Sequence, residues 1–167
     1  HQAYSTVGYS NGTAVTFRVL GTSRIFMAGL DSSPSTNSYP SLDYVFYFPN
    51  TGNVKVYESG VDRGEVVSTY STGDIFSVVY DNQTIKYYHN GTVVRTVVVG
   101  EGRTFFFDSS IVTHSNVGLI DSITIAPTGK AGGVGRNIDW NFTDMEIDDL
   151  GKIRKTGTTS GWNAQAY

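Results

Sequence analysis

The chain of 167 residues is long enough for one domain with a buried core, and its 12 basic and 15 acidic side chains give a formal net charge of −3. No basic patch of the kind that binds nucleic acid is present, and no apolar run approaches the roughly 20 residues of a membrane span. We therefore expect no nucleic-acid partner and no membrane insertion. Cysteine is absent, which excludes disulfides and thiolate metal sites. The sequence begins at His1 without Met or a signal peptide, so we expect a fragment or a processed piece.

A β-rich composition predicts an all-β fold. The chain contains eleven Tyr and nine Phe, and no useful window shows the 3.6-residue apolar period of a helix. Strand candidates follow one another at roughly ten-residue spacing, as in a sandwich or a barrel. In chain order, the predicted strands are Gly12–Leu20, Arg24–Leu30, Leu42–Pro49, Asn53–Glu58, Glu65–Tyr70, Asp74–Tyr80, Thr84–His89, Thr92–Val99, Arg103–Ile111 and Asn116–Ile125.

The stretch Asp74–Thr96 indicates three consecutive strands joined by tight turns. Asn90-Gly91 between two β-rich runs is a strong hairpin signal, because a two-residue type I′ turn needs a positive φ at both positions. Asp81-Asn82-Gln83 supplies the other turn. A meander of this kind favours an antiparallel sheet that binds with its face or its loops.

Both faces of several strands are apolar or aromatic. In the third predicted strand, Leu42, Tyr44, Phe46 and Phe48 share one face, and Val45 and Tyr47 lie on the other. This pattern suits a two-sheet sandwich in which the second face is partly covered or carries a binding surface.

The amino-acid composition changes after Ile125. Ala126–Gly135 has the composition of a Gly/Pro linker, and Arg136–Lys155 is charged with the alternation of a β-hairpin. We therefore divide the chain into a sandwich at 1–125 and an extension at 126–167.

The end of the chain repeats its beginning, because Gln165-Ala166-Tyr167 matches Gln2-Ala3-Tyr4. We predict that Trp162–Tyr167 begins a second copy of the module or fills the equivalent slot on a neighbouring copy. Either case implies tandem or oligomeric assembly, with Trp162, Gln165 and Tyr167 as the candidate assembly residues.

Several short motifs resemble the concanavalin-A-like lectin/glucanase jelly roll, and more narrowly its modules in bacteriophage tail and fibre proteins and in bacterial surface proteins. The motifs are Gly29-Leu30, Pro34, Tyr39, Asp43-Tyr44, Gly52, Val56-Tyr57-Glu58, Thr72-Gly73-Asp74 and Tyr87-Tyr88-His89-Asn90-Gly91. They cover 1–125, and the closing Ser160–Tyr167 is similar to the strand that opens such modules in phage proteins. The resemblance implies a jelly-roll sandwich with a C-terminal hairpin and linker. It also implies a carbohydrate-binding or structural role on a virion, outside the cell or at its surface.

Sugar-binding faces stack Tyr and Trp rings on pyranose C–H groups, while polar side chains orient the hydroxyls. The alternative is that these rings belong to the core, since one member of each alternating pair must be buried. The candidate carbohydrate-binding residues are Tyr44, Tyr47, Tyr57, Tyr87, Tyr88, Arg95, Asp43 and Asn82, with Tyr70 and Trp140 as further aromatic positions.

Glu146-Ile147-Asp148 is similar to the centre of the Glu-x-Asp-x-Glu motif of retaining β-glucanases, which places two carboxylates in one cleft. Here Leu150 replaces the second Glu, and Asp149 is one residue out of phase. We therefore expect no enzyme. The alternative role of these acidic residues is to keep a hairpin edge from pairing.

No cofactor is predicted, and the ion to consider is a structural calcium with oxygen ligands. Asp31 and Asp43, with Asn37 in the loop between them, form one weak candidate set. The acidic residues of the extension form another, namely Asp139, Asp144, Glu146, Asp148 and Asp149.

Three functional hypotheses remain at this point. The preferred one is a non-catalytic virion or surface module, of a phage tail or fibre protein, that recognises a cell-surface glycan or another host receptor. The second is a structural repeat that builds a fibre or filament with neighbouring copies. The third is a glycoside hydrolase, which the missing second Glu disfavours.

Overall fold

The computed structural model describes residues 1–35, 38–112 and 118–128, and beyond them the backbone of four short strands. The strands are β1 (Gln2–Tyr4), β2 (Tyr9–Ser10), β3 (Thr13–Val19), β4 (Phe26–Asp31), β5 (Tyr44–Phe48), β6 (Val54–Glu58), β7 (Val61–Val67), β8 (Ile75–Tyr80), β9 (Thr84–His89), β10 (Thr92–Val98), β11 (Thr104–Ile111), β12 (Ile120–Ala126), β13 (Phe142–Thr143), β14 (Met145–Ile147), β15 (Ile153–Lys155) and β16 (Gln165–Ala166). A single 3₁₀ turn, Tyr39–Ser41, precedes β5. Within the described part of the chain, no helix has the length and hydropathy of a membrane span.

Two sheets form the sandwich that the sequence predicts. The large sheet has the order β13-β16-β1-β11-β4-β5-β6-β7, and β2 pairs with β11 as well. The small sheet has the order β10-β9-β8-β3-β12. Neighbouring strands are antiparallel apart from β1 and β16, which run parallel. The prediction of an all-β antiparallel sandwich is confirmed.

The core lies between the sheets and consists largely of aromatic rings. Phe46 of the large sheet meets Phe76 and Tyr87 of the small sheet at centroid distances of 5.0 and 5.2 Å. Phe48 stacks on Phe26 at 4.4 Å and meets Phe76 edge-on at 4.9 Å. Edge-to-face and stacked rings at these separations favour a specific packing beyond the area they bury.

The backbone angles of the turns explain why the strands of the meander pair as predicted. Asn90 and Gly91 have φ values of 48° and 79°, which is the pair of positive φ angles that a two-residue hairpin needs. A second turn of this kind, Ser59-Gly60, joins β6 to β7 with φ values of 49° and 77°. The sequence analysis misses it, because Ser-Gly is a weaker turn signal than Asn-Gly.

That missed turn shifts one predicted strand. The strand predicted over Glu65–Tyr70 is instead Val61–Val67, since β7 starts directly after Ser59-Gly60. Tyr70 lies beyond the strand, yet its ring is buried against Phe48 at 5.3 Å. The short strands β1 and β2 are also absent from the predicted set.

The extension contributes backbone to both a hairpin and the large sheet. Met145–Ile147 pairs with Ile153–Lys155 in a separate two-stranded antiparallel sheet, which confirms the predicted hairpin. Gln165–Ala166 lies parallel to β1, with Gln2 opposite Gln165 and Ala3 opposite Ala166. The division at 125/126 remains a prediction, and Trp140, Trp162 and Tyr167 lie outside the described residues.

Candidate functional site

The outer face of the large sheet carries a second apolar cluster, separate from the core. Met27, Leu42 and Val45 are its buried members, with Tyr47 and Tyr57 packed against them. The two tyrosine rings meet edge-to-face at 5.3 Å and 76°. The alternation groups Leu42 with Tyr44, Phe46 and Phe48, and this grouping is wrong, because Leu42 precedes β5 and packs with Met27 and Val45 on the outer face.

A cavity of about 270 Å³ opens beside this cluster. Aromatic, aliphatic and thioether groups make up most of its lining, and Ser110 and three tyrosines contribute hydroxyl groups. The lining residues are Ile25, Phe26, Met27, Tyr39, Tyr47, Tyr57, Ser110 and Val112. A small apolar concavity with few polar groups is the form that ligand sites commonly take.

One side of the cavity is exposed to solvent, and the other side is buried in the large sheet. Tyr39 is 49% exposed in its 3₁₀ turn, whereas Met27 is 5% exposed within β4. Ser110 is 2% exposed, and its Oγ has no hydrogen-bond partner. A buried hydroxyl without a partner costs free energy that a ligand atom would recover.

The charged groups nearest to the tyrosines neutralise each other. Lys55 Nζ lies 2.8 Å from Asp62 Oδ2, and the amide of Gly64 donates to Asp62 Oδ1 at 2.7 Å. The hydrogen bond from Lys55 holds the pKa of Asp62 below its usual value. Tyr57 Oη also donates to Asp62 at 3.4 Å, which fixes the orientation of this ring beside the cavity.

A buried acidic pair lies further along the same sheet face. Asp31 of β4 and Asp108 of β11 are 2% and 0% exposed. Gln2 Nε2 donates to both carboxylate oxygens of Asp108 at 3.0 and 2.9 Å, and the Ser33 amide donates to Asp31 at 2.8 Å. Burial raises the pKa of both carboxyls, and the charge of Asp31 raises that of Asp108 further. Both carboxyls therefore keep their protons to a higher pH than exposed carboxyls do.

The calcium ion considered from the sequence stays a prediction, because Asn37 and the acidic side chains of the extension lie outside the described residues. Calcium takes six to eight oxygen ligands, and the described residues contain no group of three His, Cys, Asp or Glu side chains placed to hold a metal. Asp43 instead accepts hydrogen bonds from the amide and hydroxyl of Ser32, so it stabilises the loop that follows β4.

The remaining predicted sugar-binding residues are dispersed. Tyr44 and Tyr87 are 9% and 0% exposed and pack in the core, which is the alternative position that the sequence analysis gives for these rings. Tyr88 lies on the outer face of the small sheet, opposite Ser77 and Val93. Tyr47 and Tyr57 are the two predicted residues that the structure brings together at the cavity.

The predicted polar candidates have structural partners elsewhere. Arg95 donates to both carboxylate oxygens of Glu58 at 2.8 and 2.9 Å, and Arg63 lies 2.9 Å from the same carboxylate. This ion cluster joins β10 to β6 and β7 across the sandwich edge. Asn82 sits in its turn with a φ of 71° and accepts the amide hydrogen of Gly102 at 3.0 Å.

Comparison with known proteins adds information about the fold. No protein-family model matches the sequence, and no curated protein matches it. The SPRY domain of human HERC1 superimposes with a TM-score of 0.53 at 15% identity, over 78% of this chain and 84% of that one. The fold is a concanavalin-A-like jelly roll.

Two further solved structures are similar to this jelly roll. The carbohydrate-binding module CBM66 from Bacillus subtilis has a TM-score of 0.44 at 13% identity, over 74% of this chain and 80% of that one. Bacillus licheniformis β-glucanase has a TM-score of 0.45 at 16% identity, over 66% of this chain and 57% of that one. Likenesses of this degree leave the activity open.

The sequence analysis misses part of the cavity. Met27, Ser110 and Val112 come from strand positions or a strand end with no aromatic or charge signal. Alternation places Met27 and Ser110 on faces opposite to their buried neighbours, and this is the one signal in the sequence that points to them. The proximity of β4 and β11 depends on the strand order, which the sequence does not reveal.

Proposed function

We propose that this jelly roll is a non-catalytic carbohydrate-binding module, and that the cavity on the outer face of the large sheet is its sugar site. The accessible cavity bordered by Tyr47 and Tyr57 is the observation that carries the proposal. Two tyrosine rings held edge-to-face present both a ring face and hydroxyl groups to a ligand. This combination suits sugars, which have apolar C–H faces and polar rims.

The carboxylates that the structure describes support the proposal that the module is non-catalytic. Glycoside hydrolysis needs two carboxyl groups about 5–9.5 Å apart on either side of the scissile bond. No carboxylate is among the described residues that line the cavity. Asp62 is held by Lys55, while Asp31 and Asp108 are buried and have raised pKa values. In the extension, the backbone of Glu146 pairs with Arg154 in the separate hairpin.

The biological setting is part of the same proposal. The resemblance of Ser160–Tyr167 to the opening strand of phage modules supports a place in a phage tail or fibre protein. The module then acts on the virion or at a cell surface, and its partner is a glycan on the host.

Substitution of Tyr47 by Ala weakens sugar binding by about tenfold or more, because an aromatic contact contributes about 1–2 kcal/mol. The measurement is isothermal titration with polysaccharide from candidate hosts, after a glycan array has identified a binder. Tyr88→Ala is the matched control, since it removes a tyrosine from the other sheet. Equal affinity for the wild type and Tyr47→Ala would place the sugar site elsewhere.

One observation favours a second function, assembly of a fibre. The identical pairs Gln2-Ala3 and Gln165-Ala166 lie parallel and in register within the large sheet. Since backbone hydrogen bonding does not distinguish chains, the same slot beside β1 accepts the Gln165–Ala166 segment of a neighbouring copy.

Deletion of Trp162–Tyr167 then lowers the mass of the assembled species. Sedimentation velocity of the full chain and the deletion variant, at the same concentrations, measures this change. An unchanged distribution of masses would exclude this strand as the assembly contact, and retained glycan binding by the deletion variant would separate assembly from recognition.

A further inference from the structure

We infer that Asn11 is a site of spontaneous deamidation, and that Asn90, which has the same local sequence, is protected by its hydrogen bonds. Both residues begin an Asn-Gly-Thr tripeptide, at 11–13 and at 90–92. Both also lie in exposed connections between strands with a positive φ, 62° at Asn11 and 48° at Asn90. Sequence and exposure therefore do not distinguish the two sites, whereas the contacts of the two side chains do.

Deamidation needs an asparagine side chain that can reach the next backbone nitrogen. The glycine nitrogen attacks the asparagine Cγ and forms a C–N bond, and the side-chain nitrogen leaves as ammonia with the proton of the glycine amide. Water then opens the cyclic imide at either carbonyl and gives isoaspartate or aspartate, with no oxidant or reductant. Glycine favours the attack, because it lacks a Cβ and adopts backbone angles that other residues rarely reach.

The side chain of Asn90 is held away from this reaction. Its Oδ1 accepts the amide hydrogen of Ile75 at 2.8 Å, and its Nδ2 donates to Asp74 Oδ1 at 3.0 Å. The backbone amide of Asn90 donates to the Ile75 carbonyl at 2.8 Å, so Ile75 restrains both the backbone and the side chain. Rotation of Cγ toward the nitrogen of Gly91 must first break the side-chain bonds, which slows the attack.

The side chain of Asn11 has no comparable restraint. Within the part of the chain that the structure describes, its amide group takes part in no hydrogen bond. Gly12 follows with a φ of 138°, a value that glycine adopts at no steric cost. Attack on Asn11 therefore breaks no described contact of the side chain. The product carries one more negative charge, and isoaspartate adds one atom to the backbone just before β3.

Incubation of the folded full chain at neutral pH tests the inference, with peptide mapping by mass spectrometry at both sites. We expect Asn11 to deamidate about tenfold faster than Asn90 or more, because the hydrogen bonds of Asn90 must break first. The same incubation in urea is the control, and there we expect the two rates to become similar. Equal folded rates, or a faster rate at Asn90, overturn the inference. A difference of the same size in urea also overturns it, since the flanking residues would then be the cause.

Variants of Asp74 assign the protection to a named contact. Asp74→Ala removes the acceptor of Asn90 Nδ2, so we expect Asn90 to deamidate several-fold faster while Asn11 keeps its rate. Asp74→Asn keeps an acceptor oxygen and retains most of the protection. Asp62→Ala, which removes a carboxylate from the other sheet, is the matched control and leaves both rates unchanged.

Circular dichroism establishes that each variant is folded before its rates are compared. An unchanged rate at Asn90 in folded Asp74→Ala shows that this hydrogen bond does not protect the site, and the inference fails. If Asp74→Ala does not fold, the comparison of the wild type in buffer and in urea decides the inference by itself.

Discussion

Substitution of Phe48 by Ala lowers the free energy of unfolding by about 3–5 kcal/mol. The ring is fully buried and contacts aromatic rings of both sheets. It stacks on Phe26 at 4.4 Å and meets Phe76 and Tyr70 edge-on at 4.9 and 5.3 Å. Its removal leaves a cavity that these rigid rings cannot fill. Denaturant unfolding followed by circular dichroism measures the loss.

The adjacent residue provides the matched control for this substitution. Tyr47 is next to Phe48 in β5 but lies on the outer face, so Tyr47→Ala costs only about 1 kcal/mol. If Phe48→Ala proves too unstable to measure, Phe48→Leu keeps most of the volume and reports a smaller loss in the same direction. A larger loss for Tyr47→Ala than for Phe48→Ala would contradict the assignment of faces.

Raising the pH destabilises the protein through the buried pair Asp31 and Asp108. Burial raises the pKa of both carboxyls above the usual 3.8, so the folded state holds more protons than the unfolded state does between the two values. The stabilisation is therefore complete below the unfolded pKa and is lost as the pH rises through the raised folded pKa. Each unit of upward shift corresponds to about 1.4 kcal/mol. Unfolding titrations from pH 4 to pH 9 measure this loss, with the range set by the same linkage.

Asp108→Asn isolates this effect. The introduced amide can donate to Asp31 at every pH, and its carbonyl still accepts from Gln2 and the Ser109 amide. We expect the loss of stability with rising pH to become much smaller in this variant. Asp62→Asn is the control, because that carboxyl has a lowered pKa and its removal leaves the loss at high pH intact. An unchanged pH profile in Asp108→Asn would show that the pair is not the source.

Some residues of the candidate site can be predicted from the sequence, and others cannot. Tyr47 and Tyr57 are found from the sequence because each alternates with buried neighbours on an aromatic strand. Tyr87 has the same local appearance and is core, since alternation identifies two faces without saying which one meets the other sheet. Ser110 is indicated only by alternation and Val112 carries no local signal, and both reach the cavity only because β11 pairs with β4.

Contacts between charged residues that are far apart in the sequence are likewise not predictable from local sequence patterns. Arg95 and Glu58 are 37 residues apart and meet only because β10 and β6 lie at the same edge of the sandwich. Asp31 and Asp108 look like ordinary surface residues in the sequence, and the strand order buries them together. The separation of two residues along the chain does not tell whether they are in contact in the fold.

The sequence by itself determined the all-β class, most strands, the Asn90-Gly91 hairpin and the resemblance to the concanavalin-A-like jelly roll. These features depend on alternation and turn chemistry, which act over a few residues. The tertiary structure alone decided which aromatic faces are core, where the cavity opens and which carboxyls are buried together. Those outcomes depend on strand order, and strand order is set by burying the apolar faces of the whole chain at once.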